Sequence, residues 1–328
     1  MRHLHHLFSL LLLMVVFTTT SCTDDFSEHP ANQGYLPHPV SLIQTLDSIN
    51  RSLVPSSTVL RAPKESDLSK EDKVRIALAD ASGAISGGSK GFKHGGRIGS
   101  SLGHPVTGAT IGTIVGAVVK GGIKSYRTYN KIKEAKINST GVRRTNQSVD
   151  DYPKAVHACS MFFNNSDSLN VDRLPIIYRD SISKSSVVVD DSLTNRTDLT
   201  NGEMNVGLAH NLVLAYLDGK IIIDDASVID SATNIYAQKL LESQEFRAEC
   251  VQDETDEDRD ELPAKVEQLF FEVYETYANN CDDVVFIINK YVEAIDASNE
   301  LSPEEKTSLK YGFATALYST NYWEKELK

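Results

Sequence analysis

The chain has 328 residues, a formal net charge of −12, 41% hydrophobic residues and 24% charged residues. This length allows roughly one to three domains, and the composition excludes a disordered or low-complexity chain. Four cysteines are too few for a disulfide-rich framework. The charge is uneven, because residues 71–144 hold 13 basic and 4 acidic side chains, whereas residues 145–328 hold 15 and 35. The basic part therefore contacts either an anionic surface or the acidic part of the same molecule.

Residues 1–21 are predicted to be a secretory signal peptide. A basic start precedes an apolar run over residues 7–17, which is too short to span a bilayer. Residues 19–22, Thr-Thr-Ser-Cys, resemble the relaxed lipobox of Bacteroidota lipoproteins, although the stricter form has Leu in the first of these positions. The acidic residues 24 and 25 resemble the signal that sends such lipoproteins to the cell surface. The resemblance implies a surface-exposed outer-membrane lipoprotein acylated at Cys22, and an ordinary cleaved signal peptide is the alternative.

Two further segments precede the central part of the chain. Residues 22–39 are polar and contain three prolines, which predicts a flexible tether. Residues 40–70 are predicted to hold a short helix over 40–53, where apolar residues recur at helical spacing, followed by a polar linker.

Glycines recur at every fourth position along two stretches of residues 83–122, a segment that contains 13 of the 19 glycines in the chain. Residues four apart share a helix face, so each stretch predicts a helix with a stripe free of side chains, as in small-xxx-small packing. His104-Pro105 interrupts the spacing and predicts a break. We therefore predict a glycine-zipper helical hairpin over residues 71–133, with an N-cap at Ser69. Its predicted packing residues are Gly83, Gly87, Gly91, Gly95, Gly99, Gly103, Gly108, Gly112 and Gly116.

The second arm of this hairpin carries an uncharged run over residues 106–119 and then a basic flank. Charges in the first arm argue against a membrane span, but the uncharged run is long enough to enter a membrane interface. A basic flank suits anionic head groups. The predicted membrane-surface residues are Lys120, Lys124, Arg127, Lys131 and Lys133. The alternative is a hairpin that packs against the rest of the protein.

The remaining chain divides into two parts. Residues 134–200 are predicted to be a linker and an irregular segment, with short β-prone pieces at 174–178 and 187–189. Residues 201–328 are predicted to form an acidic α-helical bundle of five amphipathic segments, of which one covers 228–246 and the last begins with a capping box over 302–305. The predicted fold class is mainly α: a glycine-zipper helical hairpin, an irregular middle segment and an all-α bundle.

No stretch of the sequence indicates a catalytic centre. Cys159 with His210 would suggest a thiol hydrolase, but the residues around Cys159 match no nucleophile motif, and a half-buried histidine bonded to a neighbouring helix is favoured. His210-Asn211 and residues 319–323 resemble a recurring pattern in uncharacterised exported Bacteroidota proteins, which implies no known activity. The acidic loop at 253–261 lacks the glycine and the closing Glu of a Ca²⁺ loop. Too few aromatics accompany the basic stretch for nucleic-acid binding. We predict no metal, no cofactor and no nucleic-acid partner.

The sequence favours a cell-envelope lipoprotein with a non-enzymatic binding or structural role. Its predicted partners are the lipid membrane, through acylated Cys22 and through the hairpin, and a second copy of the chain through the glycine face. The alternative is a membrane-active antibacterial factor, because glycine-rich hairpins with basic flanks resemble bacteriocin and pore-forming segments.

Overall fold

The computed structural model describes residues 40–53, 68–139, 151–163, 169–171, 176–179, 193, 195–223, 234–252 and 261–325. Val40–Lys328 forms one compact unit. The described residues form ten helices and two short strands, which confirms the predicted mainly α fold. The predicted signal peptide, the tether, the lipidation residue Cys22 and the acidic loop at 253–260 lie outside the described residues.

The elements follow one another along the chain with helices before, between and after the two strands. The helices are α1 (Leu42–Leu53), α2 (Lys70–Ser101), α3 (Pro105–Ser139), α4 (Tyr152–Ser160), α5 (Asn201–Leu217), α6 (Ile235–Glu242), α7 (Gln244–Val251), α8 (Glu261–Tyr277), α9 (Cys281–Ala297) and α10 (Pro303–Lys325). The strands β1 (Ile176–Tyr178) and β2 (Ile221–Ile223) pair antiparallel, with Ile177 opposite Ile222.

The hairpin consists of α2 and α3, and its ends are set by local chemistry. The hydroxyl of Ser69 accepts from the backbone N–H of Asp72, whose carboxylate accepts from the N–H of Ser69, so the predicted N-cap is confirmed. Between the arms, Gly103 has a φ of +85°, a backbone conformation that only glycine adopts without strain. Gly103 therefore belongs to the turn and not, as predicted, to the packing stripe. Pro105 begins α3, where its missing N–H costs nothing.

The second arm is longer than predicted. The hairpin was expected to end at residue 133, whereas α3 continues to Ser139. Lys136 Nζ lies 2.6 Å from Asp72 Oδ2, so the last turns of α3 run beside the first turn of α2. The end of α3 could not be predicted from local sequence, because this ion pair joins residues 64 positions apart in the chain.

The hairpin lies at the centre of the molecule. Helix α2 packs against α3 and also against α6, α7, α8 and α10. Helix α10 approaches its neighbours through glycine: a Cβ on Gly312 would lie 2.3 Å from Ile85 of α2, and one on Gly207 of α5 would lie 2.6 Å from the carbonyl oxygen of Ala314. Helices α2, α3, α5 and α10 thus form the interior of the protein.

Aromatic side chains fill the space between α8, α9 and α10. The rings of Phe270 and Phe313 have centroids 4.5 Å apart, and Tyr291 meets Phe313 edge-on at 5.8 Å. Trp323 lies 4.9 Å from Tyr129, which joins the end of α10 to α3. Helix α1 covers this cluster, because the Asn50 side chain donates to the Leu269 carbonyl and accepts from the Tyr291 hydroxyl, both at 2.8 Å.

In its described residues, the acidic part over 201–328 contains six helices instead of the predicted five. The segment expected as one helix over 228–246 is divided at Ser243, which ends α6 and caps α7 by accepting from the N–H of Phe246. Strand β2 was not predicted, although its partner β1 lies within the β-prone piece at 174–178. The other β-prone piece, at 187–189, lies outside the described residues.

Candidate functional site

The glycine stripes of α2 and α3 face each other along the hairpin. A Cβ built on Gly91 would lie 1.9 Å from the carbonyl oxygen of Gly112, whereas real Cβ atoms essentially never come within 3.0 Å of another heavy atom. The two backbones therefore touch with no room for a side chain between them. The opposed pairs are Gly87 with Gly116, Gly91 with Gly112, and Gly95 with Gly108.

The stripe closes at both ends with contacts outside these pairs. At the turn, a Cβ on Gly99 would lie 2.5 Å from the His104 carbonyl oxygen. At the open end, a Cβ on Gly83 would lie 2.9 Å from the Cα of Gly121, a glycine missing from the predicted set. The four-residue spacing pointed to Lys120 as the next stripe position, so periodicity alone could not find Gly121.

The predicted membrane-surface residues do not form one exposed patch. Lys120 is buried, and the half-buried Lys124 donates to the Ser82 hydroxyl at 2.8 Å. Arg127 donates to the Val251 carbonyl at 2.8 Å. Lys131 and Lys133 are exposed. Three of the five basic side chains are thus directed into contacts within the protein.

Helix α3 has the length and composition of a membrane-crossing helix from Pro105 to Lys136, the one such segment among the described residues. However, 83% of its most apolar stretch is buried inside the protein. A core helix of a globular protein has the same properties, so the apolar run in α3 is accounted for by its central position.

A cluster of polar side chains lies in the interior where α2, α5 and α10 meet. Asp80 of α2 and His210 of α5 are completely buried, and His210 Nε2 lies 3.8 Å from Asp80 Oδ2. The Ser319 hydroxyl of α10 donates to Asp80 Oδ2. Asn211 donates to the Tyr318 carbonyl at 2.8 Å, which leaves its side-chain oxygen to face His210 Nδ1 at 3.1 Å. The structure thus joins His210-Asn211 to the 319–323 segment with which the sequence analysis grouped it.

The hydrogen bonds fix the tautomer of His210. Because the Asn211 side-chain oxygen can only accept, Nδ1 of His210 carries the proton, and Nε2 presents a lone pair towards Asp80. Burial lowers the pKa of His210 to about 4, against the opposing hydrogen bond to Asn211. Burial raises the pKa of Asp80 to about 8, although the Ser319 hydroxyl and the charge of Lys124 lower it. At neutral pH the imidazole is uncharged and the carboxyl is largely protonated.

The structure corrects one part of the interpretation of His210, because its side chain is fully buried and not half-buried. Its Nδ1 faces the adjacent Asn211, whose amide makes the bond to α10, and a hydrogen bond with the backbone of Gly121 in the neighbouring helix α3 raises its pKa against the effect of burial. Asp80 Oδ1 and His210 Nε2 have no hydrogen-bond partner among the described residues. The described residues shield both side chains completely from solvent.

Two of the three described cysteines, Cys159 and Cys250, lie in surroundings that keep the thiol unreactive. Cys159 and Cys250 are buried and unbridged, and Cys281 is partly exposed and also unbridged. Burial raises the pKa of the Cys159 thiol well above its usual range, and that of Cys250 to about 12. A thiol of this kind stays protonated at neutral pH, whereas a thiolate is the reactive form.

A cavity of about 410 Å³ opens between α2, α8 and the start of α10. This volume lies in the range of small-molecule sites, roughly 300–1,000 Å³. Its wall combines apolar Ile85 and Phe92 with the charged side chains of Lys90 and Glu267. This cavity could not be predicted from the sequence, because its wall is formed only when three separate helices pack together.

One set of side chains has the composition of a metal site. His94 of α2 lies beside Glu245 and Glu249 of α7, and one possible ligand atom from each lies within 4.8 Å of the others. No local spacing in the sequence indicates this set, because the histidine lies about 150 residues before the two carboxylates.

The comparisons with known proteins assign no family. No protein-family model, no curated protein and no solved structure matches the chain. The class that the fold defines is therefore a mainly α protein built around a glycine-zipper hairpin.

Proposed function

We propose that this protein is a lipoprotein of the cell envelope, anchored through Cys22 at the surface of the outer membrane, with a non-enzymatic binding or structural role. The lipobox-like residues 19–22 support the anchor. The closure of the glycine stripes on each other, with backbone against backbone at Gly91 and Gly112, supports the structural role. A hairpin used in this way is a rigid internal framework. Partner recognition then falls to the outer surface and to the 410 Å³ cavity beside α2.

The burial of Cys159 and His210 supports a role without catalysis. Cys159 and His210 are both fully buried, the thiol is held in its protonated form, and the imidazole is neutral. A general base or a nucleophile needs access to a substrate atom at hydrogen-bond distance. These two residues, which a thiol hydrolase would use, have no such access.

The anchor is tested by metabolic labelling of cells with a palmitate analogue. The wild-type protein should be labelled, and Cys22→Ala should lose the label. Cys281→Ala is the matched control and should keep it, because that thiol lies in the folded part of the chain. Equal labelling of the wild type and Cys22→Ala would rule out acylation at Cys22.

The second candidate is a membrane-active factor that inserts the hairpin. It is favoured by one observation, namely that α3 is long and apolar enough to cross a membrane. Insertion requires the two arms to separate, because the glycine stripes hold them in backbone contact. Homo-oligomerisation through the glycine face requires the same separation.

A cross-link between the arms distinguishes the two candidates. A Cβ on Gly96 would lie 3.8 Å from the Cβ of Ala109, which suits a disulfide. We expect the Gly96→Cys/Ala109→Cys variant, in a Cys22→Ala background, to release no dye from anionic liposomes in either the oxidised or the reduced form. Release by the reduced form that stops on oxidation would instead establish the membrane-active candidate.

A further inference from the structure

His94 is held almost out of solvent at the contact between α2 and α7. Its side chain is 7% exposed, and its ring meets the edge of Phe246 with centroids 5.9 Å apart. Nε2 lies 3.3 Å from Oε2 of Glu249, and Nδ1 lies 3.8 Å from Oε2 of Glu245. The two glutamates are one turn apart on α7 and therefore share a helix face.

The imidazole makes no hydrogen bond with the described residues, although two carboxylates lie close to it. One ligand atom from each of the three side chains lies within 4.8 Å of the others, and carboxylates are the groups with which an imidazole commonly shares a metal ion. Ligand atoms at the usual zinc distances of about 2.0–2.1 Å in a tetrahedron lie about 3.3 Å from each other. The separation of 3.3 Å between His94 Nε2 and Glu249 Oε2 matches that spacing.

We propose that His94, Glu245 and Glu249 bind a divalent transition-metal ion of the Zn²⁺ type, with water completing the coordination. Imidazole together with carboxylate is a ligand set for such ions, whereas Ca²⁺ and Mg²⁺ prefer oxygen ligands alone. Two carboxylates balance the charge of one dication. The Glu245 side chain is 64% exposed, so it can rotate to bring its Oε2 to the ion.

The surroundings of Glu245 support this arrangement. Arg97 Nη1 lies 3.3 Å from Oε1 of Glu245, which leaves Oε2 directed towards His94. A hydrogen-bonded or ion-paired second oxygen is a common way to orient a ligating carboxylate. The bound ion would connect α7 to the first arm of the hairpin and so stabilise the contact between them.

The test is a Zn²⁺ titration of the EDTA-stripped full chain against a fluorescent chelator. We expect the wild type to bind one more ion than His94→Gln, Glu245→Gln or Glu249→Gln, or to bind it at least tenfold more tightly. Glu242→Gln is the matched control, because Glu242 is exposed on the neighbouring helix α6, and it should bind as the wild type does. His29 and His38 are present in every variant, so binding by the N-terminal segment cancels in the comparison.

A second measurement separates metal binding from a plain ion pair. Zn²⁺ should raise the melting temperature of the wild type by several degrees and leave that of Glu249→Gln unchanged, because an ion that binds only the folded state stabilises it. Equal Zn²⁺ binding by the wild type and all three variants, or no thermal shift in the wild type, would overturn the proposal. The three side chains would then form only a contact between α2 and α7. If His94→Gln does not fold, the two glutamate variants decide, since their side chains are partly exposed.

Discussion

Asp80 is a carboxyl group placed among the most tightly packed helices of the protein. Its partners are the Ser319 hydroxyl and, at 3.8 Å, the lone pair of His210 Nε2. Burial raises its pKa to about 8, so folding keeps on it a proton that the unfolded chain releases near the model value of 3.8. A raised folded pKa adds stability below the unfolded pKa, and this stability is lost as pH rises through the folded pKa.

His210 acts in the opposite direction over part of the pH range. Its folded pKa of about 4 is below the model value of 6.5, so its contribution is present above pH 6.5 and is lost as pH falls towards 4. Between these values the two residues offset each other. As pH rises above 6.5, the imidazole of His210 becomes neutral in the unfolded chain as well, so it no longer offsets the contribution of Asp80.

We therefore predict that the free energy of unfolding falls as pH rises from 6.5 to 8, by about 1 kcal/mol per pH unit. Asp80→Asn should reduce this slope, because an amide keeps the hydrogen bond from Ser319 and has no proton to lose. Urea unfolding at the two pH values measures the effect. Asp296→Asn, at an exposed carboxylate, is the control and should keep the wild-type slope. An unchanged slope in Asp80→Asn would show that Asp80 ionises freely in the folded protein.

The residue types of this cluster are visible in the sequence, but their contact is not. His210-Asn211 and Ser319 stood out as a pattern, whereas Asp80 was noted only as a charge unfavourable for membrane insertion. Their meeting depends on how three helices, far apart in the chain, pack against each other. No periodicity or spacing within one helix encodes that arrangement.

At the scale of the element, the helix ends follow local sequence closely. The capping box of Ser69 and Asp72 begins α2, and Asn280 caps α9 by accepting from the N–H groups of Asp282 and Asp283. Burial raises the pKa of Asp72, but hydrogen bonds from Lys136 and Ser69 outweigh it, so its pKa lies below the usual value. The Asp72 carboxylate thus belongs to both arms of the hairpin.

We predict that Ser69→Ala lowers the free energy of unfolding by about 1 kcal/mol, the usual cost of losing an N-cap hydroxyl. Chemical denaturation followed by circular dichroism measures it. Ser101→Ala is the matched control, because Ser101 is exposed in the last turn of the same helix. Its hydroxyl donates to the carbonyl of Ile98 in that turn and caps no free N–H group. A Ser69→Ala protein as stable as the control would mean that the start of α2 does not depend on its cap.

Two element boundaries could not be found from sequence, for different physical reasons. The division at Ser243 is local, but the apolar spacing runs across it, and only the bond from the Phe246 N–H to Ser243 distinguishes a cap from a helix interior. The end of α3 at Ser139 depends on a distant partner, since Lys136 pairs with Asp72 of the other arm.

For the whole molecule, the sequence predicted the hairpin and the break between its arms. It did not predict that the hairpin lies at the centre of the protein. Six opposed glycines, His104-Pro105 and the helical spacing specify a zipper that needs no other partner to close. The burial of α3 depends on α5, α10 and the small helices α6 and α7, which the sequence presented as a separate acidic bundle. The opposite charges of these two parts accordingly meet within one compact unit, as Arg97 and Glu245 do.

In this structure the hairpin is the closed internal framework of the compact unit. Substitutions at two neighbouring glycines test this closure most directly. A Cβ on Gly95 would lie 2.1 Å from the Gly108 carbonyl oxygen, whereas one on Gly96 would meet only the Ala109 Cβ at 3.8 Å. Gly95→Ala should therefore lower the free energy of unfolding by about 3 kcal/mol. Gly96→Ala should raise it by roughly 0.5–1 kcal/mol, because alanine is the better helix former.

The measurement is urea unfolding followed by the fluorescence of Trp323, the single tryptophan of the chain. Trp323 packs on Tyr129, which lies about 30 Å along α3 from the pair of Gly95 and Gly108. We expect the Trp323 transition to shift to lower urea in Gly95→Ala and to higher urea in Gly96→Ala. Equal effects of the two substitutions, or a Trp323 transition that neither one moves, would contradict the closed framework.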